Sequence, residues 1–157
     1  MKKTDSAILQ KAADTWRIGI VYSSFYKEEM EALVSGAEQA FLESGIKPEY
    51  VLRYEAPGSF EVPLLGAALA EAKKVDALVG LGIIVEGETF HAQLLANEAA
   101  RGIMDVQLRY RIPFAFEILY VKHLKDAQAR TKGDANKGRE AAYAVLHSLH
   151  TLNRIRR

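Results

Sequence analysis

The stretch "DALVGLGIIV", residues 76–85, decides the fold. From Ala77 to Val85 it carries no polar side chain, so apolar and polar positions do not alternate. A strand with one wet face alternates. A strand covered on both faces does not, and unbroken apolar strands belong to parallel sheets clad by helices. The run is about half the roughly 20 residues that a membrane-spanning helix requires. It is therefore expected to be a central strand, and its flanks must supply the helices.

They do. Upstream, "PLLGAALAEAKK" reads as a helix with Pro63 in its first turn. It follows "EYVLRYE" (Glu49 to Glu55), a strand. Before these come a first strand, "WRIGIVYS" (Trp16 to Ser23), and a first helix, "KEEMEALVSGAEQAFLESG". In that helix Met30, Leu33, Val34, Ala37 and Phe41 recur at helical spacing, and Gly45 is the stop. Downstream, a long helix is expected from about Thr89 to Tyr110, ending before Pro113. "FAFEILY" (Phe114 to Tyr120) is a fourth strand, and Leu124 to Ala129 a short helix. A closing helix starts near Lys137 with Ala142, Val145, Leu146, Leu149 and Leu152 on one face. This strand–helix alternation implies right-handed parallel crossovers. The expected fold is α/β: a three-layer α-β-α sandwich with a flavodoxin-like four-stranded parallel sheet of order 2-1-3-4. Residues 1–14 are expected to form a flexible N-terminal arm, and residues 15–157 a single domain.

Composition narrows the function classes. The 157 residues are 49% hydrophobic, with a formal net charge of +1. So balanced a charge gives no general electrostatic case for nucleic acid. Cysteine is absent, which removes disulfides, thiolate metal sites and a thiol nucleophile, and is compatible with the cytoplasm. The N-terminal "MKKTDSAILQKAADTW" has no continuous apolar core, so it does not read as a signal peptide. A cytoplasmic protein without membrane association is the expectation.

In open α/β sheets ligands bind outside the carboxyl ends of the strands. Three loops should converge there: "SSFY", "APGSFE" and "EGETFH". Phe25 is either core or a platform for a planar heterocycle. In "APGSFEVP", Glu61 either favours the positive end of the next helix or accepts hydrogen bonds from a ligand that approaches Gly58. Glu88 and Thr89 either cap a helix or stand where its N-terminus offers N–H groups to phosphate. His91 follows; a helix N-terminus disfavours imidazolium, so a neutral base is expected. "ARTKGDANKGREA" carries Arg130, Lys132 and Lys137, a solvated basic loop or an anion clamp. It lacks the spacing of a Walker loop, and "GLGIIV" lacks the third glycine of a dinucleotide fingerprint. A single Glu-x-x-His, Glu88 to His91, does not make a di-iron bundle.

The segments "SSFY", "APGSFEVP", "LGIIVEGETFH", "NEAARGI", "IPFAFEIL" and "NKGREAA", in this order and spacing, resemble the 6,7-dimethyl-8-ribityllumazine synthase family over roughly residues 16–150. The resemblance implies a transferase of riboflavin biosynthesis that needs no metal and no organic cofactor. It would condense an amino-ribitylamino-uracil with 3,4-dihydroxy-2-butanone 4-phosphate through a Schiff base, phosphate loss and ring closure. Carried onto this sequence, Phe25 would stack on the pyrimidine. Ser59, Phe60 and Glu61 would hold the ring and the ribityl chain, and Ile83, Ile84 and Val85 would give backbone hydrogen bonds. Glu88 and Thr89 would offer N–H groups to phosphate, and Arg130 would bind it. His91 would move protons, Lys137 would hold the pyrimidine, and Phe116 would enter the pocket of the adjacent subunit. The family pattern also implies a homopentamer, alone or built into an icosahedral capsid, with riboflavin synthase as a candidate partner. Three positions depart from it. Gln93 stands where a carboxylate is common, Ala129 where a glutamate often precedes the arginine, and the loop from Arg130 to Asn136 is about one residue shorter. The competing expectation is a non-catalytic lumazine- or flavin-binding, or shell-forming, relative of the same fold. An FMN carrier fits less well, because "SSFYKEE" lacks a Ser/Thr/Gly-rich phosphate cradle.

Overall fold

The computed structural model describes residues 15–157; the expected N-terminal arm lies outside them. Four strands, β1 (Ile18–Ser23), β2 (Val51–Ala56), β3 (Ala77–Val85) and β4 (Phe114–Val121), form one sheet of order β2-β1-β3-β4. Every pairing is parallel. The helices are α1 (Lys27–Glu43), α2 (Val62–Glu71), α3 (His91–Tyr110), α4 (Leu124–Gln128) and α5 (Lys137–Arg156). The expected fold class and strand order are those observed.

Both faces of β3 are buried, as its unbroken apolar run requires. Val79, Leu81 and Ile83 meet Leu33, Ala37, Phe41, Ala142 and Val145 beneath α1 and α5. Leu78 and Ile84 face Val62, Leu69, Ala99 and Ile103 beneath α2 and α3. The two glycines of "GLG" lie on this second face and give neighbours room. A Cβ on Gly80 would stand 3.0 Å from Ile103 and 3.1 Å from the Phe114 ring. One on Gly82 would run into the Ser59 hydroxyl and come within 3.2 Å of Ile118.

Helix α1 ends as its sequence suggests. Gly45 takes the left-handed φ of 101°. There the Ile46 N–H reaches the Phe41 carbonyl and the Gly45 N–H reaches that of Leu42, both at 3.1 Å. Other boundaries move by a residue or two. β2 starts at Val51 because Pro48–Tyr50 form a 3-10 turn. α3 starts at His91, two residues later than expected, and the side chain of its N-cap residue, Phe90, makes no capping hydrogen bond. Trp16 lies outside the sheet and packs edge-on against His150, ring centroids 4.9 Å apart. On edge strand β2, Arg53 donates to Glu38 at 2.6 Å and to Glu31 at 2.8 Å, both on α1.

Candidate active site

The three rim loops meet. The Ser24 N–H donates to the Ala56 carbonyl at 2.9 Å, and the Ser24 hydroxyl to that of Pro57 at 2.7 Å. These bonds fasten the end of β1 to the end of β2. Buried Ser23 accepts the Phe25 N–H at 3.2 Å, which turns the chain outward. The Phe25 ring is consequently 61% exposed and is not core. A 3-10 turn, Ser59–Glu61, leads into α2 and buries Ser59 over Gly82. Gly58 lies between the Glu61 carboxylate and the Phe25 ring; a Cβ there would stand 3.3 and 3.4 Å from them.

A cleft of about 480 Å³ opens between these loops and the start of α3. Phe25, Ser59, Phe60, Glu61, Ile83, Ile84, Val85 and His91 line it, with Ser23, Tyr26, Ala92 and Leu95. Eight of the residues singled out in the sequence therefore share one cavity. It offers an exposed aromatic ring, a carboxylate, an imidazole on the first helical turn and a backbone edge at the end of β3. Beside it, the backbone N–H groups of Gly87, Glu88, Thr89 and Phe90 make no hydrogen bond with the protein. They precede a twenty-residue helix whose dipole favours an anion. Thr89 accepts the His91 N–H at 3.3 Å. The side chains of Glu88 and Thr89 are exposed at the cleft's margin rather than part of its lining.

Three other candidates sit elsewhere on the chain. Arg130 follows α4 and donates to the Asp126 carbonyl at 2.5 Å. Its own carbonyl accepts the Lys137 N–H at 2.9 Å, so these two cationic residues form one unit. That unit is anchored on the α1/α5 side of the sheet, away from the cleft, by Asn136. The Asn136 side chain donates to Ala32 at 2.9 Å and to Thr131 at 2.8 Å, and accepts from Gly138 at 2.8 Å. Phe116 lies on edge strand β4, 43% exposed, in a groove of about 350 Å³ between α3 and α5. It is neither core nor within its own chain's cleft.

Sequence reasoning missed Ser23 as the residue that turns Phe25 outward; a serine at a strand end was the available signal. It also missed Asn136, although an Asn directly before a helix start is a capping signal. Among the described residues no group of three or more His, Asp and Glu is placed to hold a metal ion. None of the described helices is long and apolar enough to cross a membrane.

The chain matches known proteins along most of its length. The 6,7-dimethyl-8-ribityllumazine synthase family model matches residues 15–153. The chain belongs to this family. It is 37% identical over 156 residues to the 6,7-dimethyl-8-ribityllumazine synthase of Thermus thermophilus, covering 99% of this chain and 98% of the relative. The enzyme of the same name from Ruthia magnifica subsp. Calyptogena magnifica is 34% identical over 145 residues, covering 88% and 87%. That from Paracidovorax citrulli is 37% identical over 138 residues, covering 88% of each chain. The family's match thus takes in both the cleft and the Arg130–Lys137 segment.

Proposed function

We propose that this chain is the lumazine synthase of riboflavin biosynthesis. It condenses 5-amino-6-(D-ribitylamino)uracil with 3,4-dihydroxy-2-butanone 4-phosphate, releasing phosphate and water. The observation that carries this reading is the convergence of Phe25, Glu61, His91 and the free N–H groups before α3 on one cleft. The pyrimidine stacks on Phe25, and Glu61 accepts hydrogen bonds from the ribityl chain. Backbone groups of Ile83 to Val85 bind the ring edge, and the start of α3 receives the phosphate. With the reactants so held, the uracil amine attacks the ketone and water leaves as the Schiff base forms. His91 moves the protons for this step and for the loss of phosphate that follows. The enol left by phosphate loss tautomerises to a ketone, the ribityl-bearing nitrogen attacks that carbonyl, and a second water leaves as the second ring closes. Orientation of two bound reactants supplies much of the rate gain. A positioned imidazole suits the remaining proton transfers.

Phe116, Arg130 and Lys137 complete the site from an adjacent subunit. Phe116 covers the stacked ring, Arg130 forks onto the phosphate and Lys137 holds the pyrimidine. A head-to-tail interface of this kind closes into a ring, here a homopentamer, which is also the building unit of an icosahedral capsid. The chain works in the cytoplasm, with riboflavin synthase as its partner, and needs neither metal nor organic cofactor. The first test is turnover by EDTA-treated protein given both substrates. Lumazine formation and phosphate release are expected; substrate binding at the uncatalysed rate would leave only a binding protein. The second test is complementation. His91→Ala and Phe116→Ala chains are co-refolded in equal amounts. Random mixing puts unmutated faces together at about a quarter of the interfaces, restoring activity there. Verified mixed rings no more active than the mean of their parents would exclude a shared site.

A further inference from the structure

Glu117 is the residue of β4 next to Phe116, and its side chain points to the opposite face of the strand. Its carboxylate is half-buried against α5 and makes no hydrogen bond within the protein. The groups acting on it are the two members of an ion pair in the first turn of α5, Lys137 and Glu140, joined at 2.6 Å. The other elements packed on β4 bring no further charge to it. Its register partner on β3 is Leu81. α3 covers the other face. On α4, Asp126 is engaged by the His123 N–H at 3.2 Å, and Lys125 is exposed. Burial, and then the like charge of Glu140, push the Glu117 carboxyl up to about 7, against the pull of Lys137.

We infer that Glu117 is a proton-controlled positioning residue for Lys137. When Glu117 is protonated, Lys137 is shared between Glu140 and the pyrimidine. When Glu117 loses its proton, two carboxylates hold one ammonium, and the face turned to the substrate loses one positive charge. The inference rests on the role proposed above for Lys137. It takes Glu117 to be a positioning residue that touches no reacting atom.

The experiment is calorimetric binding of 5-amino-6-(D-ribitylamino)uracil to the assembled protein from pH 6 to pH 8, for wild type and Glu117→Gln. Wild-type affinity should weaken about fivefold as pH rises. That is the effect of a unit charge at roughly 8 Å through an effective dielectric constant of about 40. The Gln variant should hold the low-pH affinity throughout. In parallel, carboxyl-carbon NMR of the wild type follows Glu117 directly and needs no variant to fold. It should titrate near neutrality. A wild type that binds no pyrimidine at any pH removes the proposed function itself. Binding whose pH profile survives Glu117→Gln, or a Glu117 carboxyl that titrates below pH 5, overturns only the role of Glu117.

Discussion

Replacing Gly138 by alanine tests how Arg130 and Lys137 are held. Gly138 is the second residue of α5, where this helix crosses α1. A Cβ there would stand 2.8 Å from the Leu33 carbonyl carbon and overlap its oxygen. An ordinary C···C contact is roughly 3.5 Å or longer, so the two helices must part by about 1 Å or more. Leu33 is backbone within a helix and cannot rotate aside. Parting the helices loosens Leu33, Ala37, Ala141 and Val145, all buried at 1% exposure or less. It also pulls at Asn136, whose side chain caps α5 and holds the loop to α1. Overpacking costs about 1–3 kcal/mol and a weakened cap about 1, offset by about 1 from the better helix propensity of alanine. The expected net loss is about 2 kcal/mol, or roughly 6 °C in Tm for a chain of this length. Urea titration and calorimetry at matched protein concentration would measure it. Gly87→Ala is the control, because a Cβ on Gly87 meets nothing within 4 Å. It should change stability by no more than about 0.5 kcal/mol. The packing argument is refuted if Gly138→Ala loses less than about 1 kcal/mol, or if the two variants behave alike.

His91→Ala should lower turnover about a hundredfold or more while leaving the urea midpoint unchanged, since His91 is exposed; wild-type turnover would reduce it to a surface residue. Arg130→Ala should raise the KM for the butanone phosphate about thirtyfold, the loss of a charge-assisted contact worth roughly 2 kcal/mol, with pyrimidine affinity nearly intact. An unchanged KM would return Arg130 to the solvated loop. Glu117 also makes stability depend on pH: its folded pKa of about 7 lies above the ordinary 4.5, so its contribution is intact below pH 4.5 and is lost as pH rises through 7. Linkage limits the loss to about 3 kcal/mol. Glu117→Gln should therefore gain up to that amount over wild type at pH 8.5 and nothing at pH 4, and a difference that stays flat across this range would contradict the burial argument.

Much of this was legible in the sequence, for identifiable reasons. The unbroken run Ala77 to Val85 required cover on both faces, and parallel crossovers then left few strand orders. The rim residues were legible because strand ends locate them without any side-chain detail. Boundaries were harder where tertiary contacts override local propensity. Glu49 reads as strand but falls in a 3-10 turn, because Pro48 sets the backbone at the first position of that turn. The "GLG" of β3 could be rejected as a nucleotide fingerprint, but its purpose lies in the Phe114 ring and the Ser59 hydroxyl packed against it. Both neighbours come from distant parts of the chain. Glu117 carried no signal, since a glutamate in an edge strand reads as solvated until α5 is seen to cover it.

The side of the sheet on which Arg130 and Lys137 lie follows from handedness. In the order β2-β1-β3-β4, the step from β1 to β2 runs opposite to the two later steps. Right-handed crossovers therefore put α1 on one face and α2 and α3 on the other. α5 joins α1, and carries the cationic unit with it. The cleft opens between the rim loops and α3, and its lining contains no lysine or arginine. The lining does contain Glu61, a carboxylate. A phosphate arriving there meets only the α3 N-terminus, equivalent to roughly half an elementary charge. A single chain thus offers a platform, a base and hydrogen-bond acceptors, with too little positive charge to hold a phosphorylated substrate beside a carboxylate. Arg130 and Lys137 of the same chain lie outside its lining. In the shared site proposed above, a second copy presenting β4 and the start of α5 would bring Phe116, Arg130 and Lys137 as one block. In the ring proposed above, the charge deficit of the cleft and the cationic unit across the sheet, whose Lys137 is paired with Glu140 inside its own chain, would be two halves of one requirement.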